Sequence, residues 1–289
     1  MTQIKKSAFS RTLRSLLTLA QVARALLRGA PLPTIQSKLY ALVYSSSAVH
    51  KLRFFNCGYH PLLPDLRLPT ELIHEPFQAM LYHHVLAAAQ NQLGHDPKNM
   101  VEVACSRGGG LLYAAKFFSE AMLLLGIDLQ PDAVVAEQDL RSSDPRLFFL
   151  AASGHNLPLR AQSVGLLVCV EALMNLNRPL FLQESRRVLA PSGVLAATGS
   201  QLGSFERAQG ELVAQSEVCG HKVCQMTDIT SNIVAACEFD ARRRLSLIAK
   251  APWFARRYLR DFLGIPGAQK FQAYQSGARC YYLAVLQRP

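Results

Sequence analysis

The chain has 289 residues, half of them hydrophobic, with 31 Lys and Arg against 20 Asp and Glu for a formal charge of +11. That size and apolar content supply a core for one large α/β domain with appended helices, or for two small domains, and exclude global disorder. No apolar run reaches the length of a membrane span, and the seven cysteines show neither a CxxC pair nor zinc spacing, so a spanning protein and a metal site are not expected.

The charge is concentrated at one end. Residues 1–64 hold no Asp or Glu, and Lys5, Lys6, Arg11, Arg14, Arg24, Arg28, Lys38, Lys51 and Arg53 supply nine of the eleven net charges. Residues 8–28 fit one amphipathic helix, with Leu13, Leu16, Ala20, Ala23 and Leu27 on one side and Arg11, Arg14, Gln21 and Arg28 roughly opposite. Two readings of it stay open: peripheral contact with an anionic membrane surface, and packing on its own domain with a solvated basic face. The interspersed arginines argue against a secretory signal, whereas an organellar transit peptide stays compatible with so acid-free a stretch. Thiols in apolar context, as in Val168-Cys169-Val170, fit a reduced cytoplasmic protein, at most peripheral at a membrane.

A second helix is expected over 34–50, then a loop at 54–61, a Pro-rich connection to 69 and a helix over 71–93, so that 1–70 reads as a basic helical extension and lid. From there strands and helices alternate: strand 100–105, helix 109–121, strand 123–128, helix 131–138, strands 146–151 and 164–170, helix 179–189 and strand 193–199. Pro191-Ser192-Gly193 is the tight turn feeding the last of these. Beyond 200 come a helix near 203–217, a strand near 220–226, helices near 229–240 and 242–262, and a closing strand over 278–287. The alternation predicts a Rossmann-like, doubly wound, mostly parallel sheet over 71–289 with a helical cap at about 229–270.

One stretch points to a ligand. Val101-Glu102-Val103-Ala104-Cys105-Ser106-Arg107-Gly108-Gly109-Gly110 reads as a buried strand, a Gly-rich turn and a helix start, and Leu125-Gly126-Ile127-Asp128-Leu129 as a second strand ending in an acid. In a βαβ unit such a turn lets backbone approach a nucleoside ligand, and the carboxylate at the second strand's end accepts the ribose hydroxyls.

Taken together, the segments resemble the class I S-adenosylmethionine (SAM)-dependent methyltransferases. Within them the chain looks most like the small-molecule group of phthiotriol dimycocerosate and sterol or tocopherol methyltransferases. The resemblance is carried by Asn56-Cys57-Gly58-Tyr59, Leu81-Tyr82-His83, the 101–110 turn, Gly126-Ile127-Asp128-Leu129, Asn156-Leu157-Pro158-Leu159, Val170-Glu171-Ala172 and Arg186-Arg187-Val188-Leu189-Ala190-Pro191-Ser192-Gly193. It continues with Asp228-Ile229-Thr230, Gly264-Ile265-Pro266-Gly267, Ser276-Gly277 and Tyr281-Tyr282. The resemblance implies that Glu102 binds the cofactor's amino group and that Ala104, Cys105, Ser106 and Gly108 wrap its methionine part. Asp128 and Leu129 would meet the ribose, Ser153, Gly154 and His155 the adenine, and Val170 and Glu171 would line the pocket. Tyr59 and the helix around Tyr82-His83 would form part of a lid. A lipophilic small molecule is the implied acceptor, with O-methylation in secondary or lipid metabolism as the leading reaction.

The chain departs from the family's pattern at several of these positions. Ala104 and Ser106 replace turn glycines, which small residues tolerate where φ stays negative. Ser153 stands where the family has an Asp, Gly165 where Phe-Asp opens the fourth strand, and Met174-Asn175 where relatives carry a His. The catalytic candidates are therefore His83, Tyr59 and Asn175. Rival readings are a catalytically degenerate subunit partnering an active enzyme, as a heteromer rather than a homodimer, and a use of the fold without methyl transfer.

His83-His84 are adjacent on a helix and make a poor metal pair, and His60 is the other histidine expected near the lid. Arg242-Arg243-Arg244 and Arg256-Arg257 with Arg260 read as solvated helix faces, with binding of an anionic substrate or membrane phosphates as the functional alternative. Trp253, Phe254, Tyr258 and Phe262 at helical spacing read as a core or pocket-lining stripe. Without a basic-aromatic platform or reader motif, nucleic acid is not an expected partner.

Overall fold

Continuous apolar runs such as Leu166-Leu167-Val168-Cys169, every member inaccessible to solvent, require a strand covered on both faces. The computed structural model describes residues 52–289 except 119–121, 131–139, 143 and 252, and the expected helices over 8–28, 34–50 and 131–138 lie outside the described residues. Arg53–Pro289 forms one compact unit.

After a 3-10 turn at Thr70–Leu72 come α1 (Pro76–Leu93), β1 (Asn99–Val103), α2 (Gly109–Phe117), β2 (Leu123–Asp128), β3 (Leu147–Ala151) and β4 (Val164–Cys169). A second 3-10 turn (Leu173–Asn175) leads to α3 (Arg178–Val188), β5 (Leu189–Leu202), α4 (Phe205–Val218) and β6 (Lys222–Asp228). The cap helices α5 (Thr230–Phe239), α6 (Ala241–Ala249), α7 (Trp253–Phe262) and α8 (Gln269–Gln275) precede the closing strand β7 (Arg279–Gln287). The seven strands form one sheet in the order β3-β2-β1-β4-β5-β7-β6, parallel throughout except that β7 runs antiparallel to β5 and β6. The strand order reverses between β1 and β4, and the C-terminal ends of strands at such a switch point are where doubly wound sheets hold their ligands.

Alternation along β1 sorts its side chains between two cores. Val101 and Val103 join α3 and α4 on one face, while Met100 packs with α1, α2, α5 and α8 on the other, the face to which Glu102 also belongs. Helix α1 starts at Pro76, five residues later than expected, because proline suits the first helical position; it ends at Gly94, whose φ of 74° closes the helix with a bond to Gln90 O. β5 is longer than the expected 193–199. Its pairing with β4 jumps from Val164↔Leu189 to Leu166↔Val194, and the expected turn survives as an irregularity at Ser192, φ 61°.

The cap corrects two expectations. The helix expected over 242–262 is two helices, since Pro252 cannot continue one, and α8 was not foreseen at all. Arg244, read as part of a solvated face, is 1 % exposed. Its Nε bonds Asp240 Oδ2 at 2.9 Å, and its Nη2 donates to Cys57 O at 2.7 Å. Its Nη1 reaches Leu263 O and the Cys237 sulfur. Asp240 also accepts from Gln78 of α1 and pairs with Arg243 at 2.6 Å. One guanidinium thus joins the 53–60 segment to both ends of the cap. Arg244→Met leaves Asp240 and two carbonyls short of donors, and a loss of about 3–5 kcal/mol is expected, read as a lower urea midpoint.

Candidate cofactor site

The turn after β1 takes the backbone where L-residues resist going. Ala104 has φ 60°, Ser106 φ 53° and Gly108 φ 74°. The condition under which small residues replace turn glycines freely is not met here: Ala104 and Ser106 both sit in the left-handed region, at a cost of about 1–2 kcal/mol each. Backbone bonds to the end of β2 hold the turn there. Ala104 N–H and Cys105 N–H both donate to Ile127 O, at 2.7 and 3.2 Å, and Ser106 N–H donates to Asp128 Oδ2 at 2.9 Å. Gln130 N–H donates to the other oxygen, Oδ1, at 2.8 Å. Burial raises the Asp128 carboxyl above its ordinary value, against these backbone donors.

Glu102 is inaccessible to solvent. Tyr82 OH donates to its Oε1, while Oε2 has no hydrogen-bond partner among the described residues, and neither has the buried Ser106 hydroxyl. Burial pushes the Glu102 carboxyl up to about 8, against the Tyr82 hydrogen bond. Gly110 leaves the room for this arrangement: a Cβ there would lie 2.1 Å from Tyr82 Cε1 and 2.6 Å from Glu102 Oε2. Tyr82 is thus a buried partner of Glu102, packed against Phe54 at 5.3 Å, rather than a lid residue.

At the end of β4, Val170 is buried and Glu171 has φ 54°. Glu171 N–H donates to Thr198 Oγ1 at 2.9 Å, and its carboxyl accepts Cys57 N–H at 2.5 Å. Burial and the neighbouring Cys57 push that carboxyl up to about 8, against Lys270. Lys270 Nζ lies 3.5 Å from Cys57 Sγ, and Cys237 Sγ lies 3.9 Å from Cys57 O. Tyr274 OH and Arg279 both donate to Ser200 Oγ, at 2.8 and 3.0 Å, and Thr198 Oγ1 pairs with Tyr281 OH.

The remaining expected residues divide. Ser153, Gly154 and His155 form the turn after β3: Ser153 Oγ accepts His155 N–H at 3.2 Å, His155 Nε2 accepts Asn177 N–H at 3.0 Å, and Gly154 packs on Val103. Cys105 is buried beside Gly126, and Leu129 is 66 % exposed beyond Asp128. Of the catalytic candidates, His83 turns to Tyr113 OH at 3.0 Å, and the Tyr59 ring lies tilted against His84 with centroids 3.9 Å apart. Asn175 is exposed in its 3-10 turn. His60 stacks on Phe239. None of these contacts places them at Glu102 or Asp128. Sequence reasoning missed Tyr82 as the partner of Glu102, and Cys57, Thr198 and Lys270 around Glu171. The Asn56-Cys57-Gly58-Tyr59 match was the available signal for Cys57, but it carried no role. No group of three metal-binding side chains occurs among the described residues. A groove of about 630 Å³ between α4 and β6 lies three strands from β4.

Two unpartnered buried acceptors, a carboxylate at the end of β2 and a turn that runs into three glycines packed too closely for a Cβ fit a cationic nucleoside ligand such as SAM. Comparison with known proteins agrees. A methyltransferase domain model matches residues 101–197. The chain is 26% identical over 252 residues to the phthiotriol/phenolphthiotriol dimycocerosates methyltransferase of Mycobacterium leprae, covering 84% of this chain and 87% of that one. It is 30% identical over 223 residues to phthiotriol/phenolphthiotriol dimycocerosates methyltransferase 1 of Mycobacterium ulcerans, covering 75% and 78%. A fatty-acid O-methyltransferase of Mycolicibacterium smegmatis is 28% identical over 169 residues, 56% of this chain and 59% of that one. Among solved structures, the (4+2)-cyclase SpnF superposes with a TM-score of 0.65 at 17% identity, covering 87% of this chain and 94% of that one. Geranyl diphosphate C-methyltransferase from Streptomyces coelicolor superposes with 0.60 at 15% identity, covering 84% and 93%. The chain belongs to the class I SAM-dependent methyltransferases, in the family of the phthiotriol/phenolphthiotriol dimycocerosates enzymes, and SAM is its cofactor.

Proposed function

We propose that this methyltransferase acts on an oxygen of a lipophilic small molecule, with Glu171 as the base. The observation that carries the reading is the Glu171 carboxyl, held at the switch-point end of β4 with its value raised to about 8. A carboxyl with that affinity is only partly ionised near neutral pH, and its ionised form is a stronger base than an ordinary carboxylate. It replaces the histidine that the sequence lacks near Asn175. The relatives named for phthiotriol lipids and for fatty acids support a long-chain acceptor bearing a hydroxyl or carboxyl.

In this reading Glu102 Oε2 takes the cofactor's ammonium, with Tyr82 fixing the other oxygen. Asp128 keeps a lone pair on each oxygen beyond those given to Ser106 and Gln130, and accepts the ribose hydroxyls. The 104–108 turn carries the methionine part, and the 153–155 turn borders the adenine without the usual carboxylate. Bound there, the cofactor would supply an electrophilic methyl on its sulfonium, with a neutral thioether as the leaving group. Glu171 removes the acceptor's proton as the oxygen attacks, and the surrounding cap excludes water; placement supplies most of the remaining rate. A subunit without catalysis would bind the cofactor but show no methyl transfer on its own.

Calorimetric titration should show micromolar binding of SAM and of S-adenosylhomocysteine, and Asp128→Ala should weaken both at least roughly tenfold. A folded wild-type protein that binds neither sinks the reading. The Glu102 value gives a second outcome. Its carboxyl is protonated below about pH 8 in the free protein, and an ammonium favours the anion, so binding must expel a proton. Cofactor affinity should therefore rise with pH between 6 and 7.5, by up to about tenfold per unit, with about one proton released in buffers of different ionisation enthalpy. Glu102→Gln should flatten that dependence. Third, Glu171→Gln should lower methyl transfer from labelled cofactor to a long-chain acid or alcohol by about 10²-fold or more while leaving S-adenosylhomocysteine affinity within about twofold. An unchanged rate would remove Glu171 from the chemistry.

A further inference from the structure

Residues 241–260 carry seven cations and no Asp or Glu, and the one acid of α7, Asp261, is turned to Lys270 N–H at 2.7 Å. Arg243 and Arg244 are used internally on Asp240, and Arg256 folds back onto Ala249 O and Ala251 O. That leaves Arg242, Lys250, Arg257 and Arg260, all exposed and none in an ion pair with a carboxylate among the described residues. Trp253, expected in a core stripe, is instead 81 % exposed at the start of α7, and Leu245 on α6 is 38 % exposed. Helical spacing puts Trp253, Arg257 and Arg260 at i, i+4 and i+7, on one stripe of α7. Tyr258, Leu259 and Phe262 are half-buried, with the rings of Tyr258 and Phe262 stacked at 6.0 Å.

A solvated helix normally mixes both signs of charge, as α4 does with Arg207 paired to Glu211. A Trp among unbalanced cations matches another environment, the boundary between anionic headgroups and acyl chains. We propose that the outer face of α6 and α7 docks on an anionic membrane surface, with Trp253 at the lipid boundary and Arg242, Lys250, Arg257 and Arg260 against lipid phosphates. No helix among the described residues is long and apolar enough to cross a membrane, so the contact is peripheral. The docking helix also ends at the site: Lys270 Nζ donates to Phe262 O at 3.3 Å, and Arg244 donates to Leu263 O. A lipophilic acceptor dissolved in the bilayer would then meet the cap from this side. Only that delivery step rests on the proposed reaction; the docking stands on α6 and α7 alone.

Trp253 is the chain's only tryptophan, so its fluorescence reports this face and no other. The full chain is mixed with vesicles of phosphatidylcholine, or of phosphatidylcholine with one quarter phosphatidylglycerol, and binding of S-adenosylhomocysteine is measured on the same protein. On the anionic vesicles, emission should move to shorter wavelength and be quenched by brominated acyl chains, and high salt should weaken both effects. Arg257→Glu with Arg260→Glu should cut partitioning roughly tenfold or more while S-adenosylhomocysteine binding persists. If the double variant does not fold, Arg242→Gln with Lys250→Gln tests the same face. Sedimentation with vesicles without any change in Trp253 emission would mean attachment through the basic residues 1–51, and overturns the proposal. So does an equal response on purely zwitterionic vesicles, or a response to a single-stranded oligonucleotide with none to vesicles. Loss of S-adenosylhomocysteine binding in the wild type would instead count against the cofactor site.

Discussion

A carboxyl group buried at the end of β1 without a cation sets the terms for the rest of the site. Taking Glu102 out of water penalises its charged form, and the protein answers with one hydrogen bond from Tyr82 and a raised proton affinity rather than with an Arg or Lys. Bringing the Tyr82 ring onto that carboxyl requires α1 to lie close against the sheet. It also requires position 110 to lack a side chain, and that is why the helix after the turn opens with glycines. Phe54, tilted against Tyr82, then draws the 53–60 segment into the same core, with Glu75 accepting Arg53 N–H and Phe54 N–H.

The backbone around this carboxyl is strained in a consistent way. Ala104, Ser106 and Glu171 lie at φ 60°, 53° and 54°, at the C-terminal ends of the two strands that flank the switch point. Such conformations persist only where neighbours over-determine them. Here the neighbours are Ile127 O, Asp128 and Thr198, each holding an N–H of a strained segment. The interior strands, apolar on both faces, supply the rigidity against which those bonds act. Without it, Ala104 would relax and the turn would lose the shape that suits a ligand.

How much of this could be read from the sequence depends on the range of the interaction. The β1–α2–β2 unit was legible because local signals agreed: an apolar strand, glycines at 108–110 and an acid at 128. Periodicity likewise located all seven strands to within a few residues. It could not say which of Arg242, Arg243 and Arg244 points inward, although Asp240 four residues before Arg244 was a usable hint. Nor could it give the sign of φ at Ala104 and Ser106. Residue type argues for negative values there, and only bonds to β2, more than 20 residues on, overrule it. Tyr82 and His83 differ by one helical step, about 100°, which decides between the buried carboxyl and the outward contact with Tyr113. Trp253 looked like core because aromatic spacing says which residues share a face, not which side of the helix is covered.

Glu102 and Glu171 sit at the ends of adjacent parallel strands, and burial holds both near 8 by the same mechanism. In the free protein near neutral pH each therefore keeps its proton, and the unliganded site carries little negative charge beyond Asp128. An incoming cation changes that balance, since positive charge in a poorly solvated site favours ionised carboxyls at short range and loses effect with distance. Glu102, the nearer group in the proposed arrangement, loses its proton on cofactor binding. Glu171, farther from the ammonium but beside Lys270, which favours its ionised form, follows once the sulfonium adds to that positive charge. A base that stays protonated until the cofactor is in place is a poor base for an empty site. The same burial that makes the two carboxyls costly in isolation thus orders their ionisation, cofactor seat first and acceptor side second.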